Sequence, residues 1–283
     1  MSSETIILVG VCDKPESTNV SQAKYFEKLG YNIIPVNYRT IIYHHGIEFF
    51  EKLLIHIVDT HTPKLVLFSK CNGVPSSLIR KCSDITTTWL WFMDYVHNLT
   101  PEILEHVKNA TFASATSSEV VKYFKEYNEN SHWIIEGYDP DICFNEKSEK
   151  VYDKVFIGNA TDKRVHTIKN TGLLGKIAIF GSWWPSEFNA SPPVYKHAFR
   201  KVVCQSNWSL NFVHGNIFSN RVVESLACGT PVLSEYCSDL EQIFPDVLFF
   251  GTELDRERII PANIKEYTWE NVLKRVMEIV NEQ

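Results

Sequence analysis

The chain has 283 residues, of which 44% are hydrophobic and 22% charged, with a formal net charge of −6. That length exceeds a typical domain of roughly 100–150 residues, and the composition is that of a folded globular protein rather than a disordered or fibrous one. The acidic balance excludes a basic field for nucleic acid, no apolar run approaches the ~18–20 residues of a membrane span, and seven cysteines without a CxxC pair point to reduced thiols rather than a disulfide or zinc framework.

The opening "MSSETIILVGVC" has no basic stretch ahead of a long apolar run, so a cytoplasmic location is expected. Within it "TIILVGVC" (5–12) reads as a buried parallel strand, "VSQAKYFEKLG" (20–30) as a helix closed by Gly30, and "YNIIPVNY" as the next strand. The alternation continues with a helix near 47–60, a strand over 64–70, a helix near 75–82 and the strand "ITTTWLWFMD" (85–94). A helix near 101–108, a strand over 110–115, a helix over 117–127 and a strand over 132–137 follow. Strands alternating with helices imply a doubly wound parallel sheet.

The segment 137–154 is rich in Gly, Pro and charge and reads as a connection. The pattern then restarts. Strands are expected over 154–159, 176–182, 209–214, 230–235 and 247–251, with helices near 162–172 and 194–201, over 219–228 and over 237–244. A last helix is expected over about 268–282. The expected organisation is an N-terminal Rossmann-like domain over 1–145, a second over 146–267, and a C-terminal helix over 268–283 packing back on the first. Two such domains are expected to face a cleft, with informative residues in the loops at the carboxyl ends of the strands.

In the first half those loops carry Asp13, in "CDKPESTN", and Asp94, after "WLWFM". A carboxylate held at a strand end can accept a proton from an alcohol, although a lone Asp there is also a common turn residue. In the second half Gly158 and Gly181 allow close backbone approach, Lys163 or Arg164 can direct a cation at a phosphate, and Trp183 or Trp184 can cover a base or sugar face. The loop "HGNIFSNR" (214–221) ends a strand and opens a helix. Its backbone from Gly215 through Asn216 and Ser219 to Asn220 suits an anion, to which Arg221 adds a guanidinium, while Glu224 suits the hydroxyls of a ribose.

Ser219 or Asn220 can cap that helix, Gly229 can close it in a left-handed conformation, and Pro231 stops it. Arg221, Glu224, Ser225 and Cys228 share one face by the i, i+3, i+4, i+7 spacing, opposite Val222, Val223, Leu226 and Ala227. A solvated Arg221/Glu224 pair contributing roughly 0.2–0.5 kcal/mol is the plain alternative to a site.

The segment "NRVVESLACGTPVLSE", with "KVFIGNATDKR" and "KIAIFGSWW", resembles the donor domain of GT-B-fold nucleotide-sugar glycosyltransferases, in particular the spore-maturation type. The resemblance implies two Rossmann-like domains, Glu224 on the ribose hydroxyls, and Arg221, Arg164 and the 215–220 backbone on the diphosphate. It implies transfer from a nucleoside-diphosphate sugar, a UDP-sugar first, to a glycan hydroxyl, with no metal, no cofactor and Asp13 or Asp94 as base. Retaining family-4-like enzymes carry Glu-x7-Glu, whereas Asn216 stands eight residues before Glu224, so inversion is favoured. The compact chain is also similar to the glycosyltransferases that large algal viruses encode for capsid glycans, some of which use UDP-xylose, which implies a viral protein in host cytoplasm. A nucleotide-sugar epimerase and a non-catalytic two-lobed binding protein are the alternatives.

Overall fold

The computed structural model describes residues 4–213, 215–250 and 259–282. His214 and Gly251, at the ends of two expected strands, lie outside the described residues. The chain divides into two compact units, one of residues 1–136 with 269–283, the other of residues 137–268.

Unit 1 runs β1 (Thr5–Gly10), α1 (Thr18–Lys28), β2 (Asn32–Asn37), α2 (Tyr38–His45), α3 (Ile47–His61), β3 (Leu65–Ser69), α4 (Ser76–Ser83), β4 (Thr88–Phe92), α5 (Pro101–Asn109), β5 (Phe112–Ala115), α6 (Ser118–Lys125) and β6 (Ser131–Trp133). The strands form one parallel sheet in the order β2-β1-β3-β4-β5-β6. Alternation along each strand sorts the core into two layers. Ile7, Val9, Leu90 and Phe92 face one side and pack with Phe50 and Leu54 of α3, Leu78 of α4, Ile103 of α5 and Phe124 of α6. Ile6, Leu8, Trp89 and Trp91 face the other, where they meet Tyr25 and Phe26 of α1 and Trp269, Leu273 and Val276 of the C-terminal helix (Trp269–Asn281). The Trp91 and Trp269 rings meet edge to face at 5.9 Å. The C-terminal helix thus covers a sheet face beside α1 with a stripe of buried residues at helical spacing.

Two local expectations are corrected in unit 1. Residues 38–45 form α2, where the pattern predicts a strand ending at Tyr38 and no helix before residue 47; Gly46, in a left-handed conformation (φ 80°), separates it from α3. The strand expected over 132–137 shortens to Ser131–Trp133.

Unit 2 contains β7 (Tyr152–Ile157), α7 (Asp162–Asn170), β8 (Ala178–Phe180), α8 (Lys196–Cys204), β9 (Ser206–Asn211), α9 (Arg221–Ala227), β10 (Val232–Ser234), α10 (Ser238–Ile243) and β11 (Leu248–Phe249). Its parallel sheet has the order β11-β10-β9-β7-β8. Phe156, Ile168, Ile179, Trp208, Leu210, Phe212 and Leu233 form its core. All seven cysteines are free thiols, six of them buried, and no described helix is long and apolar enough to cross a membrane.

Unit 1 holds a histidine in its core. The His106 imidazole, in α5, is fully buried, holds the Val74 carbonyl at 2.6 Å through Nε2, and has no hydrogen-bond partner at Nδ1. Burial pulls its pKa below the ordinary 6.5. The unfolded chain therefore takes up a proton that the folded chain resists, so this contribution to stability is complete above about pH 6.5 and declines as the pH falls towards the depressed folded value. The urea midpoint is expected to drop between about pH 7.5 and pH 5.5, and to drop less in His106→Gln; an equal drop in both proteins would remove His106 as a cause.

Candidate nucleotide-binding site

A parallel sheet places the carboxyl ends of all its strands on one edge, where the loops to the following helices leave. In unit 2 the loops after β7 and β8 are laced together. Gly158 donates its N–H to the Phe180 carbonyl at 2.8 Å, and Ala160 donates to the Ser182 carbonyl at 2.9 Å. Ser182 N–H donates to Asn159 Oδ1 at 3.0 Å, and the Trp184 indole donates to the Gly158 carbonyl at 2.9 Å. A Cβ on Gly181 would overlap that same carbonyl oxygen. The close approach anticipated at Gly181 is therefore to the Gly158 backbone.

The two tryptophans separate. Trp184 packs on Phe156 and Phe188 with ring centroids 5.9 and 5.1 Å away. Trp183 is 81% exposed and holds a left-handed backbone (φ 65°), a conformation costly for a bulky residue.

Phe156 lies at the centre of the cationic part of the edge. The Arg164 guanidinium stands 5.3 Å from its ring centroid and that of Arg221 stands 5.9 Å away. Arg164 is placed by α7, whose first turn is capped by the Thr161 hydroxyl accepting from the Arg164 N–H at 3.3 Å, and its Nη1 donates to the Asn159 carbonyl at 2.8 Å. Arg221 opens α9. A Cβ on Gly158 would stand 3.0 Å from the Phe156 ring and 3.4 Å from the Arg221 guanidinium carbon. Glycine at 158 leaves room for both groups. Ring faces attract guanidinium groups by roughly 0.5–2 kcal/mol each, so one side chain aligns two positive charges.

On α9 the expected polar face is narrower than the spacing implied. Ser225 and Cys228 are buried, and the Ser225 hydroxyl meets that of Ser209 at 2.8 Å, because the sheet covers that side of the helix. Arg221 and Glu224 remain half-buried. Ser219 Oγ accepts from the Arg221 N–H at 3.3 Å, whereas Asn220 makes no side-chain cap and donates instead to the Gly137 carbonyl at 3.3 Å. Gly229 closes the helix at φ 73°, where a Cβ would also collide with Asn145.

Gly215 is exposed, also in a left-handed conformation (φ 64°), with open space where a Cβ would stand. Asn216 holds α10: its Oδ1 accepts from Ser238 N–H at 2.9 Å and Ser238 Oγ at 2.8 Å, and its Nδ2 donates to Asp239 at 2.9 Å. That amide fixes a neighbouring helix rather than standing open to a ligand.

The sequence reading missed Glu235, which follows β10. Its Oε2 accepts from the Val213 N–H at 2.7 Å and faces Lys163 Nζ at 3.3 Å, Lys163 also donates to the Val213 carbonyl, and Thr167 Oγ1 lies 3.4 Å from Oε1. Lys163 is therefore paired with a carboxylate, and the lack of any motif linking 163 to 235 hid the pair.

In unit 1 the two candidate bases sit after β1 and β4. Asp13 is exposed and accepts from Thr40 Oγ1 at 2.8 Å; that bond, with help from Asn37, holds its carboxyl below the usual range. Asp94 pairs with Lys70 Nζ at 2.8 Å. Lys70, also missed from sequence, and Cys71 both take left-handed backbones (φ 60° and 58°) at the end of β3. Consecutive non-glycine residues there store strain of order 1–3 kcal/mol each, as is common at functional edges. Among the described residues no group of three His, Cys, Asp or Glu side chains is placed to hold a metal ion.

A family model described as glycosyl transferase-like matches residues 161–278, which include Arg164, Arg221, Glu224 and Glu235. The chain is similar in structure to sucrose-phosphate synthase from Thermosynechococcus elongatus, with a TM-score of 0.71 at 12% identity over 99% of this chain and 98% of that one. It is equally similar to a glycosyltransferase from Rickettsia africae, with a TM-score of 0.71 at 14% identity over 100% and 99%. The chain has a GT-B fold. The GT-B chain is also similar to the UDP-GlcNAc 2-epimerase of Methanocaldococcus jannaschii, with a TM-score of 0.57 at 13% identity over 99% and 100%. No curated protein matches it in sequence.

The lacing of the two loops generates a test. Gly181→Ala forces the Gly158 carbonyl aside, an overpacking that costs roughly 1–3 kcal/mol. A lower urea midpoint and a changed Trp184 fluorescence are expected; an unchanged midpoint would contradict the contact.

Proposed function

We propose that the protein is a glycosyltransferase that moves a sugar from a nucleoside-diphosphate sugar, a UDP-sugar first, to a hydroxyl of a glycan acceptor. The observation that carries this reading is the convergence of Arg164 and Arg221 on Phe156, with Glu224 one turn further along α9. Two guanidinium charges suit a diphosphate, and a carboxylate at that spacing suits a vicinal diol. The family model covering these residues supports the reading, and the UDP-sugar in the name of the epimerase of like fold supports the choice of nucleotide.

In the proposed reaction the acceptor oxygen forms a bond to the anomeric carbon as the bond from that carbon to the diphosphate oxygen breaks. The acceptor proton passes to Asp94 or Asp13, and the diphosphate leaves with the electron pair. Arg164 and Arg221 hold the charge that develops on the leaving group, which is the place a metal would otherwise take. The exposed Trp183 ring covers the base. Asn216 in place of a glutamate supports inversion.

The epimerase reading rests on the likeness of fold and needs no acceptor. Incubation of a panel of UDP-sugars, UDP-xylose included, with and without glycan acceptors separates the two: transfer requires the acceptor, whereas epimerisation proceeds without one. A protein that binds nucleotide but turns over neither way would be the non-catalytic binder.

Glu224→Ala and Arg221→Ala are each expected to remove the thermal shift that saturating UDP gives the wild type, which at a hundredfold excess over Kd amounts to roughly 2.7 kcal/mol. Shifts equal to wild type in both variants would refute the donor site. Asp94→Asn and Asp13→Asn are expected to separate the base from the bystander: the base variant loses about 10²–10⁴-fold in kcat with UDP binding intact, and full turnover in both would refute the base assignment. EDTA is expected to leave turnover unchanged.

A further inference from the structure

The Lys163 and Glu235 side chains hold both backbone polar groups of one residue, Val213. Glu235 accepts the Val213 N–H at 2.7 Å while Lys163 donates to the Val213 carbonyl, and the two charged groups meet at 3.3 Å. Val213 is buried just beyond β9, where the chain leaves the sheet for the segment that ends at Arg221. The backbone of Glu235 is itself fixed, its N–H donating to the Asn211 carbonyl at 3.0 Å in continuation of the ladder between β9 and β10. Thr167 of α7 adds a contact to the other carboxylate oxygen. The Glu235 side chain is 21% exposed, so water competes little for its oxygens.

We propose that Glu235 is a positioning residue that, with Lys163, clamps the departure of the β9–α9 connection and thereby sets where Arg221 and Glu224 stand. This rests on the reading of unit 2 as the nucleotide site and adds residues to it. The clamp also sorts the charges of the edge. Lys163 is paired with Glu235 at 3.3 Å and so belongs to the frame of the edge. Of the two cations at the start of α7 that the sequence offers to a phosphate, Lys163 is by this geometry part of the frame.

The clamp acts in the absence of nucleotide, so it is tested first without any. Amide hydrogen exchange of the peptide spanning 215–221 is measured in wild type, Glu235→Ala, Lys163→Met, the double variant and Glu235→Gln. Exchange is expected to rise about tenfold in Glu235→Ala and Lys163→Met, to rise no further in the double variant, and to return part-way in Glu235→Gln, whose amide oxygen still accepts from Val213. UDP affinity by calorimetry is expected to follow the same order, and the donor KM to rise with kcat nearly held. A general loss of structure would raise exchange across unit 2 and would not be rescued by glutamine. Wild-type exchange at 215–221 in both single variants overturns the clamp. A wild type that binds no nucleotide overturns the donor-site reading, and the exchange result still decides the clamp.

Discussion

The constraint on which the rest depends is the parallel ladder of unit 2. Because β7 to β11 all run the same way, every loop that leaves a carboxyl end lies on one edge, and side chains far apart in sequence meet there without any element being distorted to bring them. Lys163 from α7 meets Glu235 from the end of β10, and Arg164 meets the ring over which Arg221 also lies. The edge is held by backbone contacts between the loops after β7 and β8 and by the side chains of Asn159, Trp184, Lys163 and Glu235. Gly181 lies against the Gly158 backbone because it has no Cβ, and the missing Cβ of Gly158 leaves room for Phe156 and Arg221.

The edge also carries polar and charged side chains that hold its backbone. Glu235 and Lys163 satisfy one another and the N–H and carbonyl of Val213, and Asn216 satisfies the start of α10. Beside them stand the two guanidinium groups near the Phe156 ring, with Glu224 on the next turn of α9.

Much of the fold was legible because its signals are local. Apolar runs such as "KLVLFS" and "TWLWF" read as buried strands, Gly229 followed by Pro231 reads as a helix stop, and the left-handed Gly229 has the conformation this requires. Helix α2 escaped notice because it follows β2 directly, with Asn37 at the boundary making no side-chain cap and no glycine or proline before Gly46. The site was partly legible for the same reason. Arg221 and Glu224 share a face by spacing alone, but spacing does not say which side the sheet covers, and Ser225 and Cys228 lie on the covered side. Lys70 with Asp94 and Lys163 with Glu235 are partners across strands, and nothing in a linear pattern announces such pairs.

The central claim is that Arg164 and Arg221 bind the diphosphate of a nucleotide sugar. A crystal structure of the full chain grown with UDP tests it most directly. The account predicts diphosphate density within hydrogen-bonding distance of both guanidinium groups and ribose hydroxyls on Glu224; UDP seated elsewhere, with both arginines unaltered over Phe156, would contradict it.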